Sequence, residues 1–96
     1  MTQWLLGEEA AVDLERLTEF LLETAPEAAL ATVDLVLDAL AILARHPLVG
    51  RPSPEGLREL VISRGRSGYL ALYRYDETAD VVLVLALRHQ RESDYH

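Results

Sequence analysis

Residues 57–91 read LRELVISRGRSGYLALYRYDETADVVLVLALRHQR, and the parsing of this stretch decides the fold. Leu60, Val61 and Ile62 form one apolar run, residues 69–75 a second and residues 81–87 a third, each with the length and the β-branched or aromatic content of a strand. Between them lie Arg64-Gly65-Arg66-Ser67-Gly68 and Asp76-Glu77-Thr78-Ala79-Asp80. Both are turn-forming, because Gly and Asp accept the backbone of tight turns at little cost. The pattern predicts an antiparallel meander. It also holds six of the nine arginines, which draws the search for function to this half of the chain.

Alternation along each strand sorts the side chains into faces. Arg58, Leu60, Ile62 and Arg64 share one side of the first strand, opposite Leu57, Glu59, Val61 and Ser63. In the second, Tyr69, Ala71, Tyr73 and Tyr75 oppose Leu70, Leu72, Arg74 and Asp76. In the third, Val81, Leu83, Leu85, Leu87 and His89 oppose Val82, Val84, Ala86, Arg88 and Gln90. Being apolar on both faces, the third strand is expected to be central or covered on both sides. One face of the sheet must hold whatever precedes it in the chain. The other is expected to be a shallow surface of arginines and tyrosines.

Working back towards the N-terminus, residues 47–56 (PLVGRPSPEG) contain three of the four prolines and two of the five glycines and read as a rigid connecting loop. Residues 8–23 place Ala10, Leu14, Leu17 and Leu21 at helical spacing with Phe20 alongside, and charged residues around the rest of the circumference. Thr24 and Glu27 match a capping box and Pro26 suits a first helical turn, so a second helix is expected to run to about His46, before Pro47. The two helices form a hairpin. From Ala28 to Ala44 only Thr32, Asp34 and Asp38 are polar, which implies burial on more than one side. The run falls short of the roughly 20 residues of a membrane span and contains two Asp. Its apolar surface serves either the protein's own core or a partner, and Val33, Leu37, Leu40 and Leu43 are the residues expected to meet that partner. Trp4-Leu5-Leu6 could add an edge strand.

The expected fold is therefore α+β, ordered β-α-α-β-β-β, with an antiparallel sheet against a helical hairpin and residues 1–96 as one domain. The chain lacks cysteine, which removes disulfides and thiolate metal sites, and its opening residues lack the basic segment of a secretory signal, so a cytoplasmic address is expected. The net charge is −7, which argues against direct binding of free nucleic acid. That acidity belongs to residues 1–46, which hold nine acids against Arg16 and Arg45; residues 47–96 hold seven charges of each sign. All nine cations are arginine.

His46, His89 and His96 show no metal-ligand spacing, and Gly65 and Gly68 belong to a turn that no helix follows, so neither a metal nor another cofactor is expected. One chemical constellation remains, Arg88-His89-Gln90-Arg91 with Tyr95 beyond it. Histidine and tyrosine move protons and arginine stabilises developing phosphorane charge, the needs of metal-independent RNA cleavage. Solvated surface is the simpler reading of such residues at a strand end.

LRELVI, GRSGYLALYRY and a strand ending in LRHQRESDY, after a helical hairpin and an HPLVGRP loop, together resemble the RelE/ParE superfamily of bacterial toxins over nearly the whole chain. The resemblance implies the toxic half of a type II toxin–antitoxin pair, such as a plasmid-stabilisation system, held inactive by a cognate antitoxin that wraps it. RelE-like members cleave messenger RNA at the ribosome; ParE-like members bind DNA gyrase and cleave nothing. The acidic balance and the absence of lysine favour the ParE-like, non-enzymatic reading. On the RelE-like alternative, Arg58, Arg74, Arg88, His89, Arg91 and Tyr95 are the candidate catalytic residues. A third reading is a non-toxic interaction module with the same fold, and a homo-oligomer is left open.

Overall fold

The computed structural model describes residues 2–64 and 67–89, with no account of the side chains of Ser63, Arg64 and Ser67. Along the chain run β1 (Gln3–Leu6), α1 (Glu8–Thr24), α2 (Pro26–Ile42), β2 (Arg51–Ser53), β3 (Leu57–Arg64), β4 (Ser67–Asp76) and β5 (Val81–His89). The fold is α+β, as the sequence implies.

The strands lie in the order β1-β5-β4-β3-β2. The meander β3-β4-β5 is antiparallel throughout, and β2 pairs antiparallel with β3. The sheet as a whole is mixed, because β1 joins β5 in parallel, Gln3 opposite Val81 to Leu6 opposite Val84. Parallel neighbours need a long connection, and here the hairpin and three other strands supply it. The expected connecting loop contributes β2 and then a single 3₁₀ turn, Pro54–Gly56, in which Glu55 and Gly56 take positive φ.

The helical hairpin is tighter than the capping box implied. α1 continues through Thr24, whose hydroxyl donates to the Phe20 carbonyl, so it does not cap α2. Ala25 alone links the helices, and its N–H donates to the Leu21 carbonyl at 2.8 Å. α2 ends at Ile42, short of His46, and Leu43 begins the turn that leads to Pro47.

The hairpin covers one face of the sheet. Ala10, Val36, Leu40 and Leu43 from the helical side meet Ile62, Tyr69, Ala71, Tyr73, Val82, Val84 and Leu87 from the sheet, with Trp4, Leu6, Leu14 and Leu17 at the margin. Full burial of side chains such as Leu40, Val36 and Val84 stabilises by about 1.5–3 kcal/mol each. Burial also corrects the partner surface expected on α2: Leu40 and Leu43 are sealed in the core, and Val33 and Leu37 are half-buried. Past its first turn, α2 offers Leu30, Ala31, Asp34, Asp38, Ala41 and Ile42 to solvent.

A β-bulge alters the face assignment of β5. Leu72 pairs with Ala86 but Tyr73 pairs with Val84, leaving Leu85 as an extra residue. Strict alternation would set Val82 and Val84 against Leu87 and His89. With the bulge all four share the helix-covered face with Tyr69, Ala71, Tyr73 and Tyr75. The tyrosines therefore point under the hairpin, in place of the exposed arginine-tyrosine surface expected from alternation alone.

Candidate functional site

A groove of about 610 Å³ lies between α1 and the C-terminal half of β5. It exists because β1 is short. Past the Leu6–Val84 pair, β5 has no strand neighbour on that side among the described residues. Asp13 from α1 partly covers the vacated edge, its Oδ2 accepting from the Leu87 N–H at 3.0 Å. Leu17, Phe20, Leu21, Val36 and Leu87 supply an apolar lining; Asp13, Arg16, Arg88, Tyr69 and His89 supply polar groups. Phe20 is 60 % exposed. Tyr69 and His89, paired across β4 and β5, meet edge to face with ring centroids 5.4 Å apart.

The structure disperses the sequence-derived candidates. Arg88 and His89 line this groove. Arg74 lies on the same face as Arg88, but their β4 positions, Arg74 itself and Leu70, are four residues apart, about 13 Å along a strand. Arg58 is on the opposite face, paired with Tyr73. Its guanidinium is engaged locally: Nη1 donates to the Leu48 carbonyl at 3.1 Å and to the Gly50 carbonyl at 2.8 Å. Arg91 and Tyr95 lie outside the described residues. Among the described residues no cluster of His, Asp and Glu could hold a metal ion, and no helix is long and apolar enough to cross a membrane.

Arg58 belongs to a second constellation, around Tyr73. The Tyr73 hydroxyl donates to the Pro47 carbonyl at 2.8 Å and accepts from the Gly50 N–H at 2.9 Å. Gly50 is required by proximity: a Cβ there would sit 2.7 Å from the Tyr73 ring and 2.8 Å from the Glu59 carbonyl. The loop 47–50 is thus fastened from beneath by two side chains.

A third set of contacts ties β1 to the β4–β5 turn. Asp80, at φ 54, accepts from Thr2 Oγ1 at 2.6 Å and from the Tyr75 hydroxyl at 2.8 Å, and its backbone carbonyl accepts from the Gln3 N–H. The Thr2 bond, then the Tyr75 bond, holds the Asp80 carboxyl below its ordinary pKa; the Asp80 bond pushes the Tyr75 phenol above its own.

Sequence reading missed Asp13, Arg16 and Tyr73 as structural or groove residues. Asp13 carried no signal, since its role depends on where β1 stops. Tyr73 and Gly50 each stood out as types, but only the fold brings them together.

Residues 5–94 match the family described as ParE toxin of type II toxin-antitoxin system, parDE, and the chain belongs to that family. It is 39 % identical over 87 residues to Toxin RelE3 of Caulobacter vibrioides, covering 91 % of this chain and 92 % of the relative. Among solved structures, the RelBE2 toxin–antitoxin complex of Mycobacterium tuberculosis is 28 % identical, with a TM-score of 0.61 over 92 % of this chain and 96 % of that one. The chromosomal ParDE system of P. aeruginosa shares the fold at a TM-score of 0.77, with 24 % identity over 93 % of this chain and 96 % of that one.

Proposed function

We propose that this toxin stops growth by binding a protein target such as DNA gyrase, without cleaving nucleic acid, and that a cognate antitoxin neutralises it in the cytoplasm. The observation that carries the target reading is the dispersal of the arginines. Arg58 is consumed by loop carbonyls on the hairpin face, while Arg74 and Arg88 stand on the other face about 13 Å apart. Stabilising one phosphorane would need them around one point. The groove beside β5 suits the antitoxin, because its apolar lining accepts an amphipathic segment and its strand edge, which Asp13 covers only in part, accepts main-chain hydrogen bonds.

Purified protein is expected to inhibit gyrase supercoiling, or to stabilise gyrase-cleaved DNA, at micromolar concentration. Unchanged supercoiling and no trapped cleavage across that range would remove gyrase as the target.

Arg88 and His89 in one groove favour a second reading, ribosome-dependent RNA cleavage. On that reading translating ribosomes yield A-site cuts that vanish in Arg88→Ala or His89→Ala. Cuts that persist in both variants dismiss these residues from the chemistry.

A further inference from the structure

The loop 47–50 ends in two aliphatic residues that the fold does not use. Leu48 is 52 % exposed and Val49 53 % exposed, although the backbone around them is hydrogen-bonded on both sides. The Pro47 carbonyl and Gly50 N–H are bound to Tyr73, the Leu48 and Gly50 carbonyls to Arg58, and the Val49 N–H to the His46 carbonyl at 3.1 Å. Fixing nearly every polar group of an exposed loop while leaving its two large apolar side chains in water brings no gain to the monomer. It is what a protein contact requires, since a loop already ordered loses little freedom on binding.

Charge indicates what kind of partner fits. In a chain of net charge −7, residues 45–53 (RHPLVGRPS) contain Arg45, His46 and Arg51 and no acid. All three are exposed; Arg51 also makes a surface ion pair with Glu59 at 3.6 Å. The loop thus presents an aliphatic tip inside a basic collar. With Leu and Val at the tip, and no aromatic group on which a base could stack, the collar suits a protein better than a nucleic acid.

We propose that the Leu48–Val49 tip is the docking knob for the toxin's protein target, entering an apolar depression rimmed by carboxylates. Arg58 and Tyr73 are positioning residues that hold the knob in shape. The inference rests on the reading that the chain acts on a protein target, and it assigns that target to the loop, with the groove beside β5 left to the antitoxin.

The test uses the full-length chain carrying Leu48→Ala with Val49→Ala, and separately Arg45→Ala with Arg51→Ala. Each is checked by thermal unfolding, then assayed by induced expression in a bacterial host and by supercoiling with intact gyrase. The aliphatic pair, solvent-exposed, should unfold at the wild-type temperature yet need on the order of tenfold more protein for equal inhibition. If wild-type protein arrests growth without touching gyrase, and the aliphatic pair relieves the arrest, the knob stands and gyrase falls as the target. Full toxicity in the aliphatic pair overturns the knob while leaving the gyrase reading intact. Toxicity lost only in the arginine pair also overturns it, and points to phosphate contacts with RNA.

Discussion

Tyr69 and Tyr73 sit four residues apart on one face of one strand, about 13 Å from each other, and their surroundings differ sharply. At Tyr73 the fold is closed: the ring is fully buried, and its hydroxyl and Arg58 together satisfy both sides of the loop 47–50. Tyr69 is buried as well, but the fold beside it opens into a groove, because β1 has ended and, among the described residues, Asp13 covers the edge of β5. The same residue type in the same strand register thus fastens a loop at one end and lines a groove at the other. The lesson is that neither tyrosine nor arginine content locates the groove; the length of the neighbouring strand does.

The contrast can be strained at either end. The largest loss is expected from Gly50→Ala at the closed end, where the added methyl meets the Tyr73 ring and the Glu59 carbonyl. A destabilisation of about 1–3 kcal/mol is expected, read as a lower denaturant midpoint. An unchanged midpoint would mean that the loop is free to shift and the closed end is not closed. At the open end Asp13→Ala removes the acceptor for the Leu87 N–H, which water in the groove can replace. Stability should fall by less than about 1 kcal/mol. A loss as large as that at Gly50 would erase the distinction between the two ends.

The smallest effect concerns the β1 clasp, and its sign follows from the shifts. Asp80 has a lowered folded-state pKa, so its contribution is present above the ordinary aspartate range and lost as pH falls through the folded value. Tyr75 has a raised one, so its contribution is complete below the ordinary tyrosine pKa and lost as pH rises through the folded value. Protection of the Gln3 amide from exchange, measured against the intrinsic rate at each pH, should therefore be greatest between these limits and fall on both sides. In Asp80→Asn the acid-side change should disappear; if it stays, another group loosens β1.

The meander was legible because its signals are local: alternating apolar residues and two turn sequences each fall within a few neighbours. The helices were legible too, though Thr24 and Glu27 suggested a cap that was displaced when α1 took in Thr24 as its last residue. The bulge at Leu85 was not, since a residue inserted between Val84 and Ala86 looks like any other apolar residue in a run of them. That single offset moved the expected surface of β5 and, with the orientation of β4, sent the tyrosines under the hairpin. The apolar excess on α2 was real, but only packing could separate Leu40 and Leu43, which the core claims, from Leu30, which it leaves 74 % exposed. Arg58 was read by its charge, while its work is done through distance, 2.8 Å from the Gly50 carbonyl.

The parallel pairing of β1 with β5 has a consequence for how the protein comes into being. Among the described strands, the first in the chain, β1, finds its ladder partner in the last, β5, with Gln3 waiting for Val81 and Leu6 for Val84. Nothing upstream can substitute, because the other described strands are already matched to one another or lie on the far side of β5. During vectorial synthesis the helical hairpin and the β3–β4 pair can condense early, yet the sheet cannot close until residues 81–84 have emerged. A chain that stops short of residue 81 is thereby left with the β5-facing edge of β1 unmatched, and that edge is open to other strands until residues 81–84 follow.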